Sequence, residues 1–386
     1  MRTKSDFLVF GRPQIADEDI AEVVDSLTRG WLGTGPKVAR FEKDFGLYKG
    51  ASHAVALNSC TAALHLSLLA AGIGPGDEVV TTAMTFCATV NTVIHAGATP
   101  VLADIDPTSM NIDPVDVERR ITPRTKALLP VHFAGRPCDM DALGAIAKWH
   151  GLTVIEDCAH AIETEYHGRK AGTMGDFGCF SFYATKNLST GEGGMVLTPH
   201  EQHARRIKTL ALHGLSADAW RRFSDAGYKH YFVTEAGFKY NMMDLQAALG
   251  IHQLRRIEGN WLRRQQIWKR YDQAFAHLPV TTPAPPEAAT RHAHHLYTLR
   301  INQARDGISR DQFLEAMTTR NIGVGVHYLS IPEHPYYCER FGWRPEDYPN
   351  AMALGRETVS IPLSARITDE DVASVVEATN AILGSA

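Results

Sequence analysis

Three sites along the 386-residue chain carry side chains whose types could act together on a small anionic molecule. Lys186 follows the run FSFYAT, Asp157 closes TVIED, and Ser59 opens SCTAALHL. Alone, each has an ordinary role as a solvated lysine, a turn or cap aspartate, or a helix N-cap. Together, an amine, a carboxylate and the free N–H groups of a helix start have a more specific use. They suit a lysine that forms an imine with an aldehyde carrying a phosphate and a basic ring nitrogen.

The elements around these residues must bring them to one place. Continuously apolar strands alternate with helices between residues 40 and 245, which is typical of a largely parallel sheet covered on both faces. Open sheets of this kind bind ligands beyond the carboxyl ends of their strands. TVIEDCAH ends one strand with Glu156, Asp157 and His160, and another strand ends before Lys186. The sequence therefore predicts pyridoxal 5′-phosphate as the cofactor.

The same pattern predicts two domains. A doubly wound, mostly parallel α/β domain is expected over residues 1–250, and a smaller α+β domain over residues 251–386. Periodicity predicts helices at residues 17–27, 38–47, 59–71, 87–95, 140–150 and 247–275. A capping box at Ser309 and Gln312 predicts a further helix start, and another helix is expected after Thr368. GVGVHY and ETVSIPL are predicted strands.

Composition limits the partners and the compartment. A net charge of −4 and a pI near 6.5 give no electrostatic case for nucleic acid or an anionic membrane. The six cysteines form no C-x-x-C pair, so neither a disulfide framework nor a structural metal site is expected. The N-terminus lacks the apolar run of a signal peptide, and no stretch approaches the roughly 20 apolar residues of a membrane span. A cytoplasmic enzyme without a metal is predicted.

Beyond these physical arguments, the order of motifs resembles the DegT/DnrJ/EryC1/StrS family of sugar aminotransferases. The likeness covers nearly the whole chain and includes GWLGTGP, NSCTAALHL, GPGDEVVTTAMTF, VIEDCAH, SFYATKN with GEGG, GFKYNMMDLQAALG and GVHY. It implies a pyridoxal phosphate transferase of fold type I that aminates a nucleotide-linked keto-sugar, with glutamate as the amino donor. PRTKALLPVHFAG, GISRDQF and GVGVHY are similar to the branch that acts on a UDP-4-keto-pentose in lipid A modification.

The resemblance also implies roles for individual residues. Lys186 matches the lysine that holds the cofactor and carries the proton, and Asp157 matches the acid that faces the pyridine nitrogen. His160 matches a residue beside the ring, although support of Asp157 is an equally open role for it. Phe86 stands where the family stacks an aromatic ring on the cofactor, with a plain core phenylalanine as the alternative.

The remaining matches concern the phosphate and the sugar. Cys60, Thr61 and Ser181 match phosphate contacts, and Cys60 departs from the smaller residue that is common there. Asn241 matches an asparagine that reaches the phosphate of the neighbouring subunit, which implies a homodimer with shared active sites. The residues expected to meet the sugar are Gly33, Thr34, Tyr183, His327 and Tyr328. His327 has an equally open role as a packed residue at a strand end. The segment at residues 216–235 mixes aromatic and basic residues, and a lid over the nucleotide is favoured over a plain solvated loop.

Three other functions fit the sequence less well. A nicotinamide oxidoreductase would need G-x-G-x-x-G directly after its first strand, whereas WLGTGPKV has only G-x-G and follows a helix. A dehydratase of the same family would replace the cofactor lysine by histidine, but Lys186 is present. A cofactor-binding sensor is disfavoured by the presence of Asp157, Lys186 and the sugar-facing motifs together. The nucleotide, the sugar, the aminated ring carbon and the pathway stay open.

Overall fold

A seven-stranded sheet lies at the centre of the computed structural model, which describes residues 6–215 and 231–384. The strands of the protein are β1 (His53–Leu57), β2 (Glu78–Thr82), β3 (Thr99–Ala103), β4 (Thr125–Leu129), β5 (Thr153–Asp157), β6 (Glu165–Tyr166), β7 (Arg169–Lys170), β8 (Phe177–Ser181), β9 (Gly194–Thr198), β10 (Thr290–Arg291), β11 (Tyr297–Arg300) and β12 (Thr358–Ile361). The order across the central sheet is β1-β9-β8-β5-β4-β2-β3. Neighbouring strands from β3 to β8 are parallel, and β9 is antiparallel to both β8 and β1. The predicted mostly parallel sheet is confirmed.

Helices cover both faces of this sheet. The helices in the described part of the chain are α1 (Asp17–Arg29), α2 (Pro36–Lys49), α3 (Cys60–Ala70), α4 (Cys87–His95), α5 (Pro114–Arg120), α6 (Met140–His150), α7 (Glu201–Ala211), α8 (Asp244–Phe275), α9 (Gln303–Asp306), α10 (Arg310–Thr319), α11 (Pro335–Phe341), α12 (Pro349–Glu357) and α13 (Asp369–Leu383). Ile155 packs in one cluster with α3 and α7, whereas the preceding Val154 packs with α6 on the other side. Because successive side chains of a strand point to opposite faces, a sheet covered twice needs strands that are apolar at almost every position.

A second cluster forms around the C-terminal part of the chain. Trp268, Tyr271 and Phe275 of α8 pack there with the antiparallel pair β11 and β12, with α10 and α13, and with Leu8 from the N-terminal segment. The first half of α8, including Ile251, packs instead with α2 and the central sheet. One continuous helix thus serves both clusters, and the predicted division between residues 250 and 251 stays a prediction.

Local sequence signals set several element bounds. The Ser59 hydroxyl accepts a hydrogen bond from the N–H of Ala62 and caps α3, and Ser309 with Gln312 forms the predicted capping box of α10. Helices α4 and α6 have the predicted bounds. All six cysteines are free. No helix in the described part of the chain combines the length and the apolar character that a membrane span requires.

The strand predicted for GVGVHY is wrong. Gly325 makes a single antiparallel bridge with Ser360, and the following residues leave the sheet. The His327 ring then bonds through Nδ1 to Ser360 Oγ at 2.9 Å, and the Tyr328 hydroxyl lies 3.0 Å from His160 Nε2. Side-chain hydrogen bonds and packing therefore outweigh the strand propensity of the valines in this segment.

Candidate active site

A cavity of about 540 Å³ opens beyond the carboxyl ends of β5 and β8. It brings together most of the residues predicted for the site: Cys60, Thr61, Phe86, Asp157, His160, Ser181, Tyr183, Lys186, His327 and Tyr328. These residues come from distant parts of the chain, and the edge of the parallel sheet places them side by side. The volume is in the range of small-molecule sites.

Lys186 lies in the turn after β8, where its N–H donates to the Tyr183 carbonyl oxygen at 2.9 Å. Its ammonium makes no ion pair with any residue of 6–215 or 231–384. Burial lowers the pKa of Lys186 to about 8, although Cys60 and Asp157 act in the opposite direction. A partly buried amine with a lowered pKa is available as a nucleophile and as a proton carrier near neutral pH.

Asp157 is the last residue of β5 and is buried. Its Oδ2 accepts a hydrogen bond from the Thr89 hydroxyl at 2.9 Å, and its Oδ1 accepts one from the N–H of Ala159 at 3.0 Å. Burial nevertheless raises the pKa of Asp157, because these two bonds do not offset the loss of solvation. A buried carboxylate in this state would be stabilised by a nearby cation, such as a protonated ring nitrogen.

Phe86 is the N-cap residue of α4, and 55% of its surface is exposed. Its ring faces the cavity and lies 5.6 Å from the Tyr328 ring, measured between centroids. The alternative interpretation of Phe86 as a core residue is therefore wrong. An exposed aromatic face in a cavity is a stacking surface for a planar ring.

The start of α3 also lines the cavity. The N–H groups in the first turn of a helix have no acceptor within the helix and attract anions. Gly194 of β9 packs so closely here that a Cβ atom would lie 2.4 Å from the carbonyl carbon of Ser59. Cys60, Thr61 and Ser181 all line the cavity. The amine, the buried carboxylate, the exposed ring and the helix start match the aldehyde, ring nitrogen, ring face and phosphate of pyridoxal phosphate.

Comparison with known proteins identifies the family of this chain. The model of the DegT/DnrJ/EryC1/StrS aminotransferase family matches residues 13–380. The chain belongs to this family. Spore coat polysaccharide biosynthesis protein SpsC of Bacillus subtilis is 50% identical over 388 residues, which cover 100% of each chain.

Two solved structures of aminotransferase relatives have the same fold. Spr1654 from Streptococcus pneumoniae, in its PLP form, has a TM-score of 0.90 at 32% identity over 98% of this chain and 99% of its own. PseC from Helicobacter pylori is an aminotransferase involved in the biosynthesis of pseudoaminic acid. It has a TM-score of 0.91 at 27% identity over 98% and 100% of the two chains. The predicted fold type I, pyridoxal phosphate dependence and transaminase class are confirmed.

His160 does not support Asp157 in this DegT/DnrJ/EryC1/StrS family member. Its Nδ1 accepts a hydrogen bond from the N–H of Ala134 at 3.2 Å, so the neutral ring carries its proton on Nε2, which faces the Tyr328 hydroxyl at 3.0 Å. Burial lowers the pKa of His160, and Lys186 and His295 add to this effect. The Nε2–H group therefore donates to Tyr328 and leaves the phenolic proton of Tyr328 available to the cavity.

His327 is packed against its neighbours and also faces the cavity, and its contact with the sugar stays a prediction. Its ring packs on Phe10 with 5.4 Å between centroids and bonds to Ser360, but it also lines the cavity. Burial lowers the pKa of His327 to about 4, with a further contribution from Lys186. It is therefore a neutral imidazole at pH 7.

Gly33, Thr34 and Asn241 do not line the cavity of their own chain. Asn241 Nδ2 donates to Thr34 Oγ1 at 2.7 Å, and Lys239 Nζ donates to Asn241 Oδ1 at 2.7 Å. The helix predicted from residue 247 begins earlier, at Asp244, so Asn241 lies in the segment that precedes α8. Most of the predicted lid, residues 216–230, lies outside the described residues, so the lid stays a prediction.

Glu156 lies beside Asp157 in the sequence but points to the other face of β5. Its Oε1 accepts from the N–H groups of Met174 and Gly175 at 2.8 and 2.7 Å, and its Oε2 accepts from Gly172 N–H and His132 Nε2 at 2.7 and 3.0 Å. Burial opposes ionisation, but these hydrogen bonds outweigh it and lower the pKa of Glu156.

The surroundings of Glu156 also contain one possible metal-ligand group. Within the described ranges, ligand atoms of His132, Glu156 and Cys158 lie within 4.8 Å of one another. However, His132 Nδ1 accepts the N–H of Cys138 at 3.0 Å, and His132 Nε2 donates to Glu156. Both ring nitrogens and both carboxylate oxygens therefore already have protein partners, and the group holds the loop at residues 172–175 in place.

Sequence reasoning missed several residues of the cavity wall. Thr85, Thr89, Thr185, Glu192 and Gly193 all line it, and Thr89 bonds directly to Asp157. Thr85 and Thr89 stand one helical turn apart around the start of α4, which is a signal that two hydroxyls can meet. The sequence does not reveal that they meet at the end of a strand 68 positions away.

Proposed function

We propose that this enzyme transfers an amino group from glutamate to the keto carbon, at ring position 4, of a nucleotide-linked sugar. The observation that supports the proposal most strongly is the cavity in which Lys186, Asp157 and Phe86 face one space. Glutamate and the nucleotide-linked sugar come from the resemblance to the family. SpsC is a spore coat polysaccharide biosynthesis protein and PseC takes part in pseudoaminic acid biosynthesis, and both support amino-sugar synthesis for a surface polysaccharide or a related glycan. Six free thiols fit the proposed cytoplasmic location.

Lys186 would hold the cofactor and move the proton. When bound, pyridoxal phosphate supplies an aldehyde carbon that takes up amines and a ring that accepts the electron pair left when a Cα–H bond breaks. Lys186 Nζ, with its pKa near 8, takes the proton from the donor and returns it on one face of the sugar. His160 is not proposed as the proton carrier, because both of its ring nitrogens are already in hydrogen bonds.

Asp157, Phe86 and the start of α3 would hold the cofactor. The carboxylate of Asp157 would bind the protonated ring nitrogen, which removes the burial cost that raises its pKa in the free protein. Phe86 would cover one face of the ring. The N–H groups of Cys60 and Thr61, together with the hydroxyls of Thr61 and Ser181, would bind the phosphate, with His160 beside the ring.

The sugar would enter from the side of Tyr183, His327 and Tyr328. All three line the cavity, and His327 and Tyr328 are neutral hydrogen-bonding groups because burial lowers the pKa of the first and raises that of the second. Neutral polar groups suit the hydroxyls of a sugar ring. The segment at residues 216–235 is proposed to cover the nucleotide.

A second copy of the chain would complete the site. Asn241 and Thr34 bond to each other outside the cavity of their own chain, so they are available for the cavity of a partner. The apolar side chains Ile20, Val24 and Leu27 are exposed along one side of α1, and Trp31 is exposed beyond its end. An apolar stripe of this kind is typical of a surface that a partner covers. We therefore include Gly33, Thr34 and Asn241 among the residues that contact the partner's ligands.

The direct test separates the two halves of the reaction. Glutamate alone should change the absorbance spectrum of the purified holoenzyme from that of the pyridoxal form to that of the pyridoxamine form. It should also release 2-oxoglutarate, since the first half-reaction needs no sugar. A panel of UDP-, dTDP-, GDP- and CDP-linked keto-sugars should then show by mass spectrometry which one gains an amine. Parallel double-reciprocal lines are expected. The proposal fails if no amino donor changes the spectrum, and the donor assignment alone fails if only another amino acid does.

The shared site has its own test. Lys186→Ala and Asn241→Asp homodimers should both be nearly inactive, whereas mixed dimers should recover activity. In a mixed dimer, one of the two sites combines an intact Lys186 with an intact Asn241 from the other chain. Absence of recovery, after subunit exchange has been demonstrated with two affinity tags, would place the whole site within one chain.

A further inference from the structure

The carboxylate of Asp157 is the end of a chain of buried hydroxyl groups. Thr89 Oγ1 lies 2.9 Å from Asp157 Oδ2, and Thr85 Oγ1 lies 2.8 Å from Thr89 Oγ1. Thr85 and Thr89 are buried, and both line the cavity. Neither residue has a role in the function proposed above.

The direction of these hydrogen bonds follows from the number of protons. A hydroxyl has one proton to donate, and an ionised carboxylate can only accept. Thr89 therefore donates to Asp157, and Thr85 must donate to Thr89. Each bond polarises the next, so that the pair stabilises the negative charge more than one hydroxyl would.

The geometry also restrains the carboxylate itself. The Ala159 N–H binds Oδ1 from the loop after β5, and Thr89 binds Oδ2 from α4. The carboxylate plane is thus held from two directions. Each oxygen keeps free acceptor capacity for one further donor in the cavity.

We propose that Thr89, supported by Thr85, is a positioning residue for the reaction: it keeps Asp157 ionised and oriented toward the ring nitrogen of bound pyridoxal phosphate. The inference rests on the proposed role of Asp157. It adds that Asp157 acts as a unit with two hydroxyl groups, those of Thr89 in α4 and of Thr85 just before α4. Loss of the Thr89 hydroxyl should weaken both cofactor binding and the catalytic step, without altering contacts to the sugar.

Helix α4 offers a matched control. Thr92 is also buried, and its hydroxyl donates to the Thr89 carbonyl oxygen at 2.9 Å, but it neither bonds to Asp157 nor lines the cavity. Thr92→Val therefore reports the cost of losing a buried hydroxyl in the same helix. Thr89→Val reports that cost together with any effect on Asp157, and Thr89→Ser restores the hydroxyl without the methyl group.

The experiment measures the dissociation constant of pyridoxal phosphate by equilibrium dialysis, and kcat and KM of each holoenzyme. For Thr89→Val we expect the dissociation constant of pyridoxal phosphate to rise about 10-fold and kcat to fall about 10-fold, with KM for the sugar unchanged. An effect of this size is expected for the loss of one hydrogen bond to a charged group. Thr89→Ser should recover most of both effects, and Thr92→Val should resemble the wild type. Thr85→Val should show the same changes at about a third of the size on a logarithmic scale.

A double-mutant cycle decides whether the effect passes through Asp157. In an Asp157→Asn background, the further change Thr89→Val should have almost no effect, because the charge that it serves is gone. Equal effects of Thr89→Val in both backgrounds would overturn the inference, as would equal cofactor binding by Thr89→Val and Thr92→Val. If Asp157→Asn itself leaves the rate unchanged, the proposed role of Asp157 fails first. If Thr89→Val does not fold, Thr85→Val carries the same test, and a wild-type result for it would overturn the inference.

Discussion

Glu156 and Asp157 are adjacent buried carboxylates at the end of β5, yet their surroundings differ. Glu156 accepts four hydrogen bonds, three of them from backbone N–H groups, and its pKa is lowered. Asp157 accepts two, and its pKa is raised. The first carboxylate is saturated by the protein and holds a loop, whereas the second has free acceptor capacity that faces a cavity. The number of donors, rather than burial, therefore separates a structural acid from one available for chemistry.

Removal of the amine that works with Asp157 should have the largest effect. We expect Lys186→Ala to lower the rate by at least about 10⁴-fold, because both the covalent anchor and the proton carrier are lost. After borohydride reduction, mass spectrometry should find no cofactor attached to the protein. Lys126→Ala, on an exposed position of β4, is the control and should behave like the wild type. Near-normal turnover by Lys186→Ala would contradict the assignment.

Asp157→Asn should come next. The amide keeps the size of the side chain but cannot hold a proton on the ring nitrogen, so we expect a rate loss on the order of 10³-fold in a folded protein. Asp141→Asn, which removes an exposed ion pair with Arg169, should leave the rate unchanged. A normal rate with full cofactor content in Asp157→Asn would show that Asp157, like Glu156, has no part in the reaction.

Glu156→Gln should affect stability instead of chemistry. A glutamine can accept at only one end, so buried N–H groups of the loop at residues 172–175 lose their partner. We expect a loss of about 2–4 kcal/mol in the free energy of unfolding, measured by urea denaturation, with cofactor affinity retained in the folded fraction. Glu201→Gln, at an exposed pair with Arg205, should stay within about 0.5 kcal/mol of the wild type. A selective loss of cofactor without a loss of stability would reverse the two roles.

The smallest expected effect is the pH dependence of stability in the cofactor-free protein, and its sign distinguishes the two carboxylates. Since the folded pKa of Asp157 is raised, its ionisation costs stability as the pH rises above about 3.9, the usual value in unfolded chains. The advantage of Asp157→Asn over the wild type should therefore grow with pH.

Glu156 should behave in the opposite way. Because its folded pKa is lowered, it contributes stability above about pH 4.3 and loses it as the pH falls through the folded pKa. The deficit of Glu156→Gln should thus be full near neutral pH and shrink in acid. Thermal unfolding of both variants from pH 8 down to about pH 3 checks the pair, because the loss for Glu156 occurs below its unfolded pKa. A shift of the same sign in both would refute the contrast.

Much of the fold follows from local signals in the sequence. Strands that are apolar at every position indicate a doubly covered sheet, and the Ser59 cap and the Ser309 capping box mark helix starts that the structure retains. GVGVHY shows the limit of such signals. Its valines favour a strand, but the contacts of His327 with Ser360 and of Tyr328 with His160 depend on residues far away in the chain.

The candidate site divides in the same way. The sequence alone determined which side chains stand at strand ends, and the two-residue period of a strand already requires Glu156 and Asp157 to face opposite sides of the sheet. Only the tertiary structure decided which of the two meets a cavity. Glu156 is saturated because the loop at residues 172–175 turns its N–H groups toward it, whereas Asp157 accepts only from the Thr89 hydroxyl and the Ala159 N–H and keeps acceptor capacity toward the cavity. Hydrogen-bond saturation depends on where distant segments end in three dimensions, and no local pattern in the sequence encodes that distance.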